Sequence, residues 1–127
     1  MTVVLDSWAI IRYLDDEPPA AQAVADLFAE QRPVISWINI GEVAYVIQRR
    51  HGEDAATTTV RDLIEVVEGV LPKEADVLAA ARIKAQHPMA YADAFAAATA
   101  VDRGATLWTG DTELLIEGAP WEWHDLR

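Results

Sequence analysis

The amino-terminal segment Thr2-Val3-Val4-Leu5-Asp6-Ser7 constrains the fold more than any other part of the sequence. Its β-branched and apolar residues predict a buried strand, and an apolar pattern with helical spacing begins directly after it. In open parallel sheets, ligands bind beyond the carboxyl ends of the strands, and Asp6 falls at such an end. Asp and Ser are also residue types that cap helices, so capping is the alternative interpretation of Asp6 and Ser7.

Length and composition set the broad class of protein. The chain has 127 residues, of which 52% are hydrophobic, and this is enough for one domain, residues 1–127, with a core that needs no disulfide. It contains no cysteine, which excludes disulfide frameworks and thiolate metal sites. No signal-type segment and no apolar run of about 18 residues is present, so we expect a cytoplasmic protein without a membrane span.

The formal net charge of -11 argues against general binding to nucleic acid or anionic membranes, because phosphate binding depends on Lys and Arg. The charge does not exclude an enzyme that acts on nucleic acid. Carboxylates gathered around divalent cations count as negative charge until the cations bind. The composition is therefore compatible with metal-dependent chemistry.

Four further apolar runs predict the rest of a five-stranded, mainly parallel sheet. They are residues 34–36, 66–70, 105–108 and the alternating segment 121–124, which we expect at an edge of the sheet. Periodic apolar patterns between the runs predict about seven helices, and the last of these is a helical turn at residues 112–116. Alternating strands and helices of this kind are typical of an α/β fold.

Three more acids lie where a carboxylate is not simply solvated. Glu42 emerges on an apolar flank of the third predicted helix, and Asp93 emerges from an alanine-rich helix. Asp111 follows the fourth strand as Asp6 follows the first. Each acid has an ordinary explanation, namely a boundary position for Glu42, the first turn of a helix for Asp93 and a cap for Asp111.

A shared crevice is the alternative to these separate explanations. If strands one, two and four are adjacent and parallel, then Asp6, Glu42 and Asp111 all follow the same edge of the sheet. The alanine-rich helix can bring Asp93 to the same crevice. Carboxylates gathered this closely repel one another, and the usual reason to tolerate this is a hard cation with oxygen ligands, such as Mg2+ or Mn2+.

Four segments, taken in order, resemble the PIN-domain nucleases and, within them, the VapC-type toxins of bacterial toxin-antitoxin pairs. They are Leu5-Asp6-Ser7, Asn39-Ile40-Gly41-Glu42-Val43, Tyr91-Ala92-Asp93-Ala94-Phe95-Ala96-Ala97-Ala98 and Thr109-Gly110-Asp111. The resemblance covers essentially the whole chain. The run Ile38-Asn39-Ile40-Gly41 is poorer in hydroxyl groups than is usual, and this departure concerns substrate contacts rather than the metal site.

The resemblance implies a PIN-like α/β fold in which helices flank the sheet in three layers, α/β/α. It implies a Mg2+-dependent endoribonuclease, with Mn2+ as a possible substitute, that is neutralised by a cognate antitoxin. Carried over by position, the catalytic and metal-binding residues are Asp6, Glu42, Asp93 and Asp111. The supporting hydroxyl groups are those of Ser7 and Thr109. Water activated by the metal would attack the phosphorus in line and give products with a 5'-phosphate.

Binding of RNA also requires positive charge, which we expect from Arg12, Arg49 and Arg50. Solvated helix ends explain Arg49 and Arg50 equally well, because cations are favourable at helix C-termini. Three apolar residues of the early helices are candidates for contacts with an antitoxin or in a homodimer, which we expect the protein to form. They are Trp8, Tyr13 and Trp37, of which at least one is expected in the core.

The main competing hypothesis is a catalytically silent PIN-like module that binds protein or RNA. Intact acids at all four positions argue against it. A haloacid-dehalogenase-type phosphatase would need a second acid at position 8, where this chain has Trp8, and a receiver domain would need a late lysine, whereas none follows Lys84. Neither of the glycine-rich loops that bind nucleotide phosphates occurs.

Overall fold

The computed structural model describes residues 1–127 as one five-stranded sheet and six helices. The strands are β1 (Val3–Leu5), β2 (Val34–Ser36), β3 (Glu68–Val70), β4 (Thr106–Thr109) and β5 (Glu122–Asp125). The helices are α1 (Ser7–Leu14), α2 (Ala20–Glu30), α3 (Trp37–His51), α4 (Glu53–Leu63), α5 (Glu74–Gln86) and α6 (Tyr91–Arg103). None of the helices is long and apolar enough to cross a lipid bilayer.

The strand order is β3-β2-β1-β4-β5, and every neighbouring pair is parallel. The prediction of an α/β fold with a five-stranded parallel sheet is confirmed, including the adjacency of strands one, two and four and the edge position of β5. Since all the strands run in one direction, their carboxyl ends lie along one edge of the sheet. The segments that follow β1, β2 and β4 are therefore neighbours.

Alternating side chains of the sheet build two separate cores. Val3, Leu5 and Ile35 pack on one face with buried residues of α1 to α4. Val4 and Leu107 pack on the other face with α5 and α6, whose alanines allow close approach to the sheet. This is the expected three-layer arrangement. It follows from the two-residue repeat of a strand, which sends successive side chains to opposite faces.

Two predicted elements have different bounds in the structure. Residues 112–114 form a single turn and residues 115 and 116 are irregular, so the predicted helical turn is not a seventh helix, and Gly118 with a φ of 76° follows shortly after. So short a segment does not offset the cost of starting a helix. The third strand begins at Glu68 instead of Val66, because the amides of Val66 and Val67 bond the carbonyl of Leu63 and complete the last turn of α4.

The three aromatic residues considered for partner contacts are half-buried and pack against the core. Tyr13 meets Phe28 edge to face, with 5.0 Å between ring centroids. The Trp37 ring lies over Gly69, and the Trp8 ring lies over Gly110. The large apolar residues with the highest exposure are others, among them Leu71, Leu78, Tyr45 and Val101.

Candidate metal centre

A cleft of about 390 Å³ opens beyond the carboxyl ends of the central strands. Its lining includes Ser7, Glu42, Asp93 and Asp111 from the predicted site, together with Arg12 and the unpredicted Glu113. Asp6 does not line the cleft, because its side chain is only 1% exposed. The fold thus gathers acids from α3, from α6 and from the segment after β4 in one place.

Asp93, Asp111 and Glu113 form the tightest group of acids in this cleft. One carboxylate oxygen from each lies within 4.8 Å of the others. Two oxygens on opposite sides of a Mg2+ ion are about 4.2 Å apart, so small side-chain movements would bring these three to a shared cation. Because all the donors are carboxylate oxygens, the group suits a hard divalent cation better than a thiophilic one.

The electrostatics of Asp93 reflect this crowding. Its side chain is 6% exposed, and burial raises its pKa to about 8. The negative charge of Asp111 and a hydrogen bond shared with the Glu113 carboxyl are smaller contributions to the same rise in the pKa of Asp93. Two carboxyl groups can share such a bond only when one of them holds a proton. A divalent cation would replace that proton and relieve the repulsion.

Asp6 lies beneath the cleft and is fixed through both of its oxygens. Its Oδ1 accepts a hydrogen bond from the amide of Ala9 at 2.9 Å, which caps α1, and its Oδ2 accepts one from the hydroxyl of Thr109. Burial raises the pKa of Asp6 to about 7 even though these bonds lower it, and the charges of Asp111 and Glu42 add to the rise. The capping interpretation of Asp6 is confirmed, and its carboxyl also belongs to the acidic group.

The two predicted supporting hydroxyls connect acids of different elements. The Ser7 hydroxyl of α1 donates to Glu42 Oε1 of α3 at 2.8 Å. The Thr109 hydroxyl of β4 donates to Asp6 and accepts from the amide of Asp111 at 3.0 Å. The acidic residues are therefore held by hydrogen bonds that cross between separate parts of the chain.

Only one of the three predicted RNA contacts lines the cleft. Arg12 is the only cationic residue that lines the cleft, and its guanidinium lies 4.7 Å from the centroid of the Trp8 ring. Arg49 stacks on Tyr45, which also lines the cleft. Arg50 forms a salt bridge with Asp15 at 3.0 Å and does not line the cleft.

Sequence reasoning missed Glu113. The signal that was available is its spacing, because Glu113 follows Asp111 by two residues in a segment that leaves a strand. The Asp111 carboxylate accepts a hydrogen bond from the Glu113 amide at 3.0 Å, which bends the backbone back toward α6. The Glu113 carboxylate then accepts from the amide of Ala90 at 3.2 Å, just before α6 begins.

A family model described as "PIN domain" matches residues 3–116. No curated protein sequence matches the chain.

Several solved structures share the fold. DNA-bound VapBC from Salmonella typhimurium matches with a TM-score of 0.81 and 19% identity, over 100% of this chain and 99% of that chain. VapBC-1 from nontypeable Haemophilus influenzae matches with a TM-score of 0.75 and 24% identity, over 99% and 98%. VapC20 from Mycobacterium tuberculosis, a sarcin-ricin loop cleaving toxin, matches with a TM-score of 0.69 and 19% identity, over 87% and 91%.

Proposed function

The chain belongs to the PIN-domain family, and on this basis we propose that residues 1–127 act as a divalent-metal-dependent endoribonuclease. The observation that carries the proposal is the convergence of Asp93, Asp111 and Glu113 in one cleft, with Asp6 and Glu42 beside them. Burial, and after it repulsion from the negative charge of Asp111, raise the pKa of Asp93, and a bound cation would offset that repulsion. The similarity in fold to the sarcin-ricin loop cleaving toxin VapC20 supports RNA as the substrate class.

Each side chain has a proposed role. Asp93, Asp111 and Glu113 would hold Mg2+ or Mn2+, with Glu42 and Asp6 completing the negative site that attracts it. A bound divalent cation supplies activation of water near neutral pH and stabilises negative charge on the leaving oxygen. Ser7 and Thr109 orient the carboxylates of Glu42 and Asp6. Arg12 would bind a substrate phosphate next to these acids.

The activity is tested with purified protein on a broad panel of RNAs in Mg2+, in Mn2+ and in EDTA. We expect cleavage only with a divalent cation, products with a 5'-phosphate, and loss of at least about 100-fold in rate for Asp93→Asn, since the amide cannot replace an anionic ligand. Asp102→Asn is the matched control, because this exposed acid is on the same helix. Wild-type protein that is inert with both metals would support the silent interaction module instead.

We propose further that the enzyme is the toxin of a toxin-antitoxin pair and acts on RNA in the cytoplasm. Support comes from VapBC complexes that share the fold over nearly the whole chain. We expect expression of the chain to arrest growth and fragment RNA, and co-expression with a neighbouring antitoxin frame to restore growth. Arrest that persists in Asp93→Asn would contradict a toxic effect through nuclease activity.

Light scattering tests the homodimer that we expect.

A further inference from the structure

Asn39 occupies an unusual position between two of the acid-bearing helices. It is fully buried, with 0% exposure, and lies one turn before Glu42 on α3. Its side-chain amide Nδ2 donates to two acceptors, Glu42 Oε1 at 3.0 Å and the carbonyl oxygen of Ala92 at 3.1 Å. Ala92 is in the first turn of α6 and directly precedes Asp93. One amide group therefore joins the carboxylate of α3 to the backbone that carries the acid of α6.

We propose that Asn39 is a positioning residue of the metal centre, which fixes Glu42 relative to Asp93 so that the cleft is prepared for a divalent cation. The inference rests on the proposed metal-dependent function. Side chains that form hydrogen bonds to the ligands of a metal ion do not touch the ion, but their substitution commonly changes the affinity for the metal by about 10- to 100-fold.

The hydrogen-bond pattern argues against a role in packing alone. The Asn39 Oδ1 atom is the only buried side-chain nitrogen or oxygen without a hydrogen-bond partner. Exchanging the oxygen and nitrogen of the amide would not give Oδ1 a hydrogen-bond partner. Oδ1 would then face a carboxylate and a carbonyl, which are both acceptors. An apolar side chain of similar size would leave no unpaired oxygen. The two bonds donated by Nδ2 are therefore what asparagine contributes at this position.

The bonds to Glu42 are arranged so that they orient its carboxylate. The hydroxyl of Ser7 and the amide of Asn39 both donate to the same oxygen, Oε1, at 2.8 and 3.0 Å. Neither donor uses Oε2. Two donors on one oxygen fix the direction of the carboxylate and leave the other oxygen for a further ligand.

The experiment measures Mn2+ binding by isothermal titration calorimetry for the wild type, Asn39→Leu and Asn39→Asp. Leucine removes both donors, and aspartate keeps the size but turns the donor into an acceptor opposite Glu42. We expect both variants to bind Mn2+ at least about 10-fold more weakly than the wild type. Thr99→Val is the control, because it removes another buried hydrogen bond of α6, to the carbonyl of Phe95, and should leave Mn2+ affinity unchanged.

A second comparison separates positioning from general destabilisation. In a Glu42→Gln background, Asn39→Leu should cause little further loss of Mn2+ affinity, because Asn39 acts through Glu42. The inference would be overturned if the losses of Mn2+ affinity caused by Asn39→Leu and by Glu42→Gln added fully in the double variant. It would also be overturned if folded Asn39 variants bound Mn2+ within about twofold of the wild type. If Asn39→Leu does not fold, Asn39→Asp decides. Wild-type protein that binds no Mn2+ would instead overturn the proposed function itself.

Discussion

At the scale of single residues, the cleft uses side chains for more than one purpose. Asp6 caps α1 through Oδ1 and accepts the hydroxyl of Thr109 through Oδ2. The hydroxyl of Thr109 in turn accepts a hydrogen bond from the amide of Asp111. These bonds lower the pKa of the Asp6 carboxyl, yet burial outweighs them and the pKa rises to about 7. A capped helix start and an acidic cleft are therefore not alternatives here, since one carboxyl serves both.

Arg12 provides a prediction at this scale, because it alone brings positive charge to the lining of the cleft. We expect Arg12→Gln to raise the KM for RNA by about 3- to 10-fold, the effect of roughly one phosphate contact, with a smaller change in kcat. Steady-state kinetics on a short RNA measures both. Arg50→Gln is the control, because Arg50 pairs with Asp15 away from the cleft. Equal effects of the two substitutions would contradict a specific role for Arg12.

At the scale of elements, the site depends on how α1 meets the end of β4. The Trp8 ring of α1 lies so close to Gly110 that a Cβ added there would be 2.2 Å from the ring atom Cη2. Gly110 directly precedes Asp111, and Trp8 also lines the cleft. The absence of a side chain at Gly110 thus allows α1 to pack against the segment that carries an acid.

Gly110→Ala tests this contact. Because the methyl group would overlap a packed ring, we expect the free energy of unfolding to fall by about 1–3 kcal/mol, as measured by chemical denaturation. Gly41→Ala is the matched control, because it lies within α3 with no atom within 4 Å of an added Cβ. In that helical position alanine should raise stability by roughly 0.5–1 kcal/mol. A neutral Gly110→Ala would mean that Trp8 moves freely out of the way.

At the scale of the whole molecule, the fold concentrates negative charge in a cleft that has a single cationic side chain. The chain carries a net charge of -11, and five acids surround or underlie a cleft that only Arg12 lines from the positive side. Burial and mutual repulsion raise the pKa of Asp6 to about 7 and that of Asp93 to about 8. The metal-free protein therefore keeps protons that its unfolded chain has already lost.

Stability should consequently fall as pH rises. Both groups have a folded-state pKa above the ordinary value near 3.8, so the folded state binds more protons between about pH 4 and 8. We expect the free energy of unfolding in EDTA to decrease across this window, by at most about 1.4 kcal/mol per pH unit for each group. Asp125 does not mask the trend, because the hydrogen bond from Arg127 lowers its pKa to about 2 and it titrates below the window.

The same experiment with Mn2+ supplies the contrast. A cation that replaces the protons should restore stability most at pH 8 and least at pH 5, where protons compete for the carboxylates. Asp93→Asn removes one titrating group and should reduce the slope of stability against pH in EDTA. Free energies of unfolding that are constant or rise from pH 5 to 8 without metal would contradict the raised pKa values.

The sequence by itself determined the α/β order of strands and helices and the positions of most of the acidic residues. Short apolar runs followed by acids identify parallel strands and their carboxyl ends, because burial and strand direction leave a local pattern. The pattern places Asp6 and Asp111 after β1 and β4, and the apolar flank of α3 distinguishes Glu42. These features depend on neighbours in the chain, which is why they are readable without coordinates.

Only the tertiary structure decided which oxygens meet. It pairs Asp93 and Asp111 with Glu113, buries Asp6 beneath them, and connects Asn39 to the residue before Asp93. These contacts depend on the rotation of α3 and α6 about their axes and on the bend after β4. Such rotations follow from packing between residues that are more than 50 positions apart, as with Asn39 and Ala92, and local sequence patterns do not encode them.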